Sequence, residues 1–312
     1  MKPHLLPRLI LVALYTAVVA GTWDAWWHGA IGRESFWSPP HLLLYASVLV
    51  AVGLGVYGWR AFKEAKWKRL AWVLLLVPAS APFDELWHRL FGIETVASPE
   101  IVWSPPHLIL IGAVIWGFIE ALRHVWHDED RDAVRLFGAL GFAGISSLLA
   151  FVATPLLPIG PYHLLGFWGA GFVCLAFLLP LLFAQKKLPG IGAATLTTAF
   201  IIILAAMGLG EKLAPGVVVP AHAHAPGWVV VFSFLLPAVF LDLFRKGNDV
   251  IRGAIAGILC CGAFYALARP FLESPFQYSW GMVGMALIAS AVGGAISGLI
   301  AEKLDFFKRT SP

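Results

Sequence analysis

Charge is the scarce commodity in this chain. Only 13% of its 312 residues are Asp, Glu, Lys or Arg, about half the share that a soluble domain uses to face water. Hydrophobic residues make up 59% and the mean hydropathy is +0.80. So little charge cannot cover a water-facing surface, so lipid must cover the rest: the chain is expected to be an all-α, polytopic membrane bundle. Soluble enzymes, nucleic-acid binders, disordered tails and disulfide-rich secreted modules are excluded at this step. The net charge of +4 is spread along the chain and is better explained by membrane topology than by a nucleic-acid partner. Cysteine is also rare. Cys174, Cys260 and Cys261 lie in apolar stretches without a Cys-x-x-Cys pairing, which reads as buried small hydrophobes rather than a redox or zinc-thiolate site. Haem, flavin and nucleotide motifs are lacking, so any redox chemistry needs an external electron donor.

What is present is apolar length. A spanning helix takes roughly 20 apolar residues, and ten such runs occur, at about 6–28, 41–60, 69–91, 107–125, 134–154, 163–184, 189–210, 227–244, 251–268 and 280–302. The connections alternate in kind. Residues 60–69, 123–135, 186–187, 245–252 and the tail with Lys308 and Arg309 are rich in Lys and Arg, while 29–40, 92–106, 155–162, 211–226 and 269–279 are rich in Pro, Gly, His and Glu. The positive-inside rule puts the basic set and both termini in the cytoplasm of a plasma or inner membrane, and the second set outside. The inner halves of the helices read as almost wholly apolar, with Ser146, Ser147, Thr197 and Thr198 the main exceptions. The start, from Lys2 and Arg8 to Ala20, can also be read as a signal peptide. Cleavage there would leave Asp24 and His28 on a loose tail, and the internal repeat favours a retained first helix.

That repeat is the most informative feature. The first copy runs Trp23-Asp24-Ala25-Trp26-Trp27-His28, then Gly32, Glu34 and Trp37-Ser38-Pro39-Pro40-His41-Leu42. The second runs Phe83-Asp84-Glu85-Leu86-Trp87-His88, then Gly92, Glu100 and Trp103-Ser104-Pro105-Pro106-His107-Leu108, with a longer loop. A single transmembrane domain, 1–312, is thus expected to contain a first metal-motif hairpin at 6–60, a second at 69–125 and supporting hairpins at 134–302. Later units keep only echoes: Gly160-Pro161-Tyr162-His163, then Glu211 with His222 and His224, then Arg269, Glu273 and Gln277.

Asp24 and His28, like Asp84 and His88, are four residues apart, and such residues stack on one helical face. Ser38 and Ser104 are expected to be N-caps, with prolines tolerated in the first turn. His41 and His107 then start the returning helices and face the ends of the preceding ones. The positive end of a helix disfavours an imidazolium, and the neutral ring is the form that ligates metal. The tryptophans around the motifs read as an interfacial belt. The carboxylates and imidazoles do not, because ionisable groups in spanning segments are costly and functional by default. The metal ligands are therefore Asp24, His28 and His41 for one ion and Asp84, His88 and His107 for another. A structural hydrogen-bond network and a proton relay are the alternatives.

In this motif the chain resembles the C subunit of the particulate methane and ammonia monooxygenases, the copper membrane monooxygenases. The resemblance rests on Asp24-x3-His28-x12-His41, on Arg33-Glu34, where that subunit carries Arg-Asp, and on Trp37-Ser38-Pro39-Pro40-His41, where it carries an aromatic-Thr-Pro-Ser-His stretch. It covers about residues 23–45. The second copy is similar to the neighbouring metal site of that subunit, with Asp84 in place of Asn and a longer gap from His88 to His107. The resemblance implies a copper site and a monooxygenase-like oxidoreductase.

The donor set argues separately for a transition metal. Two imidazoles and a carboxylate suit copper, zinc or ferrous iron, and copper binds tightest of these where it is available. One or two copper ions are expected, with iron or zinc as alternatives. Three protein ligands leave positions open for water, dioxygen or substrate. Arg33, Glu34, Glu94 and Glu100 are candidates to orient the imidazoles or are solvated loop charges. His222 and His224 hold a further ion or simply face the periplasm, His163 starts a helix, and His124 to Asp130 reads as a solvated turn. The expected function is dioxygen activation on a small apolar substrate arriving through the lipid bilayer. A metal-ion transporter or metal-handling protein is the alternative, as is a non-catalytic subunit of a larger membrane complex or a homo-oligomer.

Overall fold

A computed structural model describes residues 2–31, 37–91, 100–153, 156, 168–208, 227–268 and 279–303, and all their side chains except those of 25, 26, 28–30, 100, 101, 205–208, 227, 228 and 230. The fold among these residues is entirely helical: α1 (Leu5–Ala30), α2 (Pro39–Phe62), α3 (Ala65–Phe91), the single turn α4 (Glu100–Trp103), α5 (Pro105–Val125), α6 (Arg131–Ala153), α7 (Gly169–Lys187), α8 (Ala193–Gly208), α9 (Gly227–Leu243), α10 (Asp249–Ala268) and α11 (Trp280–Lys303). Lipid offers no hydrogen bonds, so a spanning chain must satisfy its backbone within its own helices. Eight of the helices are long and apolar enough to cross a membrane, and the two further apolar helices, Ala193–Leu204 and Val231–Leu243, are shorter. The run expected at 189–210 starts late because Gly190 and Gly192 take positive φ of 81° and 85°, which turns the chain before α8 can begin.

The chain packs as two compact units, Met1–Leu148 with Ile203–Val217, and Leu149–Ile202 with Val218–Pro312. In the first, α1 packs on α2 and α5, and α3 packs on the same two helices. The α1–α2 and α3–α5 hairpins therefore lie side by side, related as the sequence repeat relates them. Leu14 and Leu74, equivalent positions in the repeat, are both 1% exposed at the centre of this ring. Room for them is made by small residues opposite: Gly117 faces both leucines and Gly55 faces Leu74. The α2–α3 turn is closed by Lys63 in the left-handed region, φ 57°, its N–H donating to Trp59 O at 3.0 Å.

The ends of these helices opposite the repeated motif carry buried charge. Glu120 is 1% exposed. It accepts from Arg69 Nε at 2.8 Å, Arg123 Nη1 at 2.6 Å and Trp116 Nε1 at 3.2 Å. Arg8 in α1 reaches Asp128 at 2.6 Å and Asp130 at 3.2 Å in the α5–α6 connection. His124 lies against the Trp67 ring with centroids 4.1 Å apart. The stretch from His124 to Asp130 is a solvated turn only in its second part, where His127, Glu129 and Asp130 are exposed; Val125 is 1% exposed, and ion pairing to Arg8 holds Asp128 against α1.

In the second unit, α10 packs on α7, α9 and α11, and α11 also packs on α7. Gly253 and Gly257 of α10 meet the backbone of Gly294 and Ser290 of α11 so closely that a Cβ at either would collide with a carbonyl oxygen. Gly298 sits likewise against Asp249, and Gly293 against Gly171. Small residues four apart let helix backbones touch, which is how spanning helices gain contact where lipid removes the hydrophobic drive. The three cysteines are buried as expected, with Cys174 Sγ 3.6 Å from Cys261 Sγ across the α7–α10 contact. A polar network closes the other end. Asp249 pairs with Arg252 at 2.7 Å and with Lys186, while Arg252 and Gln185 also hydrogen-bond each other and Leu241 O. These helix ends thus bury more charge than their apolar sequence suggests, because Asp249 is matched by Arg252 one turn on and by Lys186 from another helix.

Candidate metal centre

Three helix segments build the centre. Asp84 and His88 lie on consecutive turns of α3, after Pro78 and Pro82. Each proline lacks an N–H and leaves a carbonyl one turn back without its usual helical partner. His107 enters from the first turn of α5. Ser104 and Ser38 occupy the N-cap positions, with ψ of 143° and 151°, and prolines fill the next two. Each serine carbonyl accepts the first helical bond, from Leu108 N and Leu42 N, both at 3.0 Å. Neither hydroxyl makes the capping bond expected of it. The prolines bring no N–H, so only the histidine amide is left to cap.

Asp84 divides its carboxylate between two rings. Oδ2 is 3.3 Å from His88 Nε2 and Oδ1 is 3.3 Å from His107 Nε2. The rings stand edge to face, with centroids 6.1 Å apart and planes at 62°. One ligand atom from each residue lies within 4.8 Å of the other two. Ligands about 2.1 Å from a shared ion, at tetrahedral angles, sit about 3.4 Å from each other. Each imidazole is near that distance from one carboxylate oxygen, His88 from Oδ2 and His107 from Oδ1, so the group could hold a metal ion once a single oxygen and both nitrogens close around it. His88 is nearly buried, at 8% side-chain exposure, whereas Asp84 and His107 keep 31% and 24%. One side of the group is therefore open.

The first copy repeats part of this geometry. His41 Nε2 stands 3.1 Å from Asp24 Oδ1, the equivalent of the His107–Asp84 contact. The His41 ring stacks on Tyr45 one turn later, with centroids 5.8 Å apart and planes at 21°. His28 sits in α1 one turn after Asp24, but its side chain lies outside the described residues. Arg33, Glu34, Glu94, His163, Glu211, His222, His224, Arg269, Glu273 and Gln277 lie outside them altogether, and Glu100 opens α4 with its side chain outside them.

The reading of the sequence passed over Glu120, Gln185, Asp242, Asp249 and Arg252, all buried. Three of these had a local signal: Glu120 with Arg123, and Asp249 with Arg252, are opposite charges three residues apart on one helical face. Asp242 had none. Its carboxylate accepts from Ala194 N at 3.2 Å, Thr195 N at 2.8 Å and Thr195 Oγ1 at 2.7 Å, capping α8 from a distant part of the chain. No family model, curated protein or solved structure matches the chain.

Proposed function

We propose that this protein is a membrane metalloprotein of oxidoreductase type, in which Asp84, His88 and His107 hold copper (iron second), and Asp24, His28 and His41 hold a second ion. The observation that carries the reading is the carboxylate of Asp84, placed 3.3 Å from two imidazole nitrogens that come from different helices. One ligand atom from each of the three residues lies within 4.8 Å of the other two, and the repetition of the carboxylate–imidazole contact at Asp24 and His41 argues against accident. Copper bound there would supply electron transfer to dioxygen, with electrons from an external donor. The chain's own part is to hold two neutral imidazoles and a carboxylate in fixed positions, to leave one side open, and to keep water from the His88 face. A small apolar substrate would arrive from the surrounding bilayer. The alternating Lys and Arg content of the connections supports a topology with both termini in the cytoplasm and the motifs toward the outer face.

A cation transporter would need further acidic stations along the first unit. Glu120, the buried acid at the opposite helix ends, is already held by Arg69, Arg123 and Trp116, and two guanidiniums repel a passing cation. This favours the enzyme over the carrier. The test is element-specific X-ray fluorescence on the purified protein, followed by Asp84→Ala and His107→Ala. The expected result is bound copper in the parent, loss of the second-hairpin ion in both variants, and loss of oxygen uptake with it. A parent that takes up no transition metal, or variants that keep their full metal content, would overturn the proposal.

A further inference from the structure

A second feature lies at the basic end of the second unit, independent of the metal reading. An open cleft of about 680 Å³ runs along the α9–α10 connection. Its polar lining is Arg245, Lys246, Arg252, Asn248 and Asp242, three cations to one acid. The two acids nearby are already engaged, Asp242 by the start of α8 and Asp249 by Arg252 and Lys186. Arg252 is 5% exposed. Its Nη atoms are used by Asp249, Gln185 and Leu241 O, while its buried Nε has no hydrogen-bond partner among the described residues. Arg245 and Lys246 are exposed, and Arg245 donates one N–H to Gly190 O at 2.7 Å.

The rest of the lining is apolar and open. Phe244 is 59% exposed, Ile251 60% and Ile255 39%, and all three line the cleft. Ile251 and Ile255 are one turn apart on α10, so they form a strip leading from the cationic mouth along an apolar span. The apolar helix Val231–Leu243 ends, and the span Asp249–Ala268 begins, on either side of this connection. That is the depth at which lipid headgroups meet acyl chains. A soluble anion would use the cations and leave the strip bare, whereas a neutral lipid would use the strip and leave the cations uncompensated.

We propose that this cleft binds an anionic phospholipid, its phosphate held by Arg245, Lys246 and the free Nε of Arg252 and an acyl chain lying along Ile251 and Ile255. Basic pockets between spanning helices are a general device for holding such headgroups. The test is native mass spectrometry of the full chain released from nanodiscs of phosphatidylcholine with or without phosphatidylglycerol. Phosphatidylglycerol should be retained preferentially, and Arg245→Ala with Lys246→Ala should weaken that retention roughly thirtyfold. Both residues are exposed, so the double variant should keep its helical circular dichroism. Ile255→Glu, which places a charge against the acyl strip, should weaken retention with the cations intact. Equal retention of the two lipids, or retention unchanged in the double variant, overturns the proposal. So does displacement of the bound lipid by millimolar inorganic phosphate, which would show a site for free anions.

Discussion

Nε2 of His107 stands 3.3 Å from Oδ1 of Asp84, reaching from the first turn of one helix to the penultimate turns of another. The contact depends on the length of neither loop. In the first hairpin a shorter connection leads to the equivalent approach, His41 Nε2 to Asp24 Oδ1 at 3.1 Å. What the two hairpins share is the proline pair, which starts the returning helix at a set point so that its third residue faces the carboxylate.

If Asp84, His88 and His107 hold the proposed ion, its affinity should follow that ligand set. Loss of an outer-sphere partner commonly weakens a metal site 10- to 100-fold, so His107→Ala and Asp84→Ala should each exceed about a hundredfold. Competition with a chromophoric chelator, in detergent, measures this. Trp87→Phe, which keeps an aromatic ring beside Phe91, should leave affinity unchanged.

Glu120 sets up an asymmetry between partners. Replacing both Arg69 and Arg123 by alanine strands a carboxylate that is 1% exposed, a loss that costs about 3–5 kcal/mol. Glu120→Leu should cost less, because Arg69 and Arg123 keep 51% and 38% side-chain exposure and can turn toward the polar interface. Unfolding in detergent mixtures should rank the double variant as the less stable; the opposite order would falsify this account of the cluster.

The α10–α11 contact should tolerate no added carbon. At Gly253 a methyl group would meet the Gly294 carbonyl, and backbone cannot move aside as a side chain can. Gly253→Ala is therefore expected to destabilise by about 1–3 kcal/mol, the usual range for overpacking. Gly53→Ala is the control, since nothing lies within 4 Å of its added carbon. It should be neutral or stabilising by up to about 1 kcal/mol. Thermal unfolding of the two variants side by side decides the matter.

Asp130, at the membrane-free start of α6, should confer a pH dependence. Its carboxylate accepts from Ala133 N at 3.1 Å and from Arg8 at 3.2 Å. The Ala133 amide, then Arg8, hold its pKa below the ordinary 3.8. A carboxylate with a depressed folded pKa stabilises the fold above its unfolded value and loses that contribution as pH falls through the folded one. The parent should therefore lose stability below about pH 4 more steeply than Asp130→Asn, in melting temperatures recorded from pH 6 to pH 3. Identical slopes would remove Asp130 from this role.

Sequence alone determined the helical, polytopic character of this protein, because 59% hydrophobic content with 13% charge calls for lipid around it, and apolar runs of roughly 20 residues satisfy their backbone there as helices. It also determined the repeat, and with it the pairing of Asp84 with His88, since residues four apart on a helix must share a face. The one-turn α4 was not legible: a single turn has no apolar periodicity to betray it. Nor was the late start of α8, which follows from two glycines at positive φ rather than from hydropathy. Tertiary structure decided what lay between helices. It brought His107 to Asp84, Arg69 to Glu120, Asp242 to the start of α8, and the glycines of α10 against the backbone of α11. Each is a contact between elements far apart in the chain. Such contacts arise from how helix faces pack, and the local spacing of residues carries no record of which face a distant helix will meet.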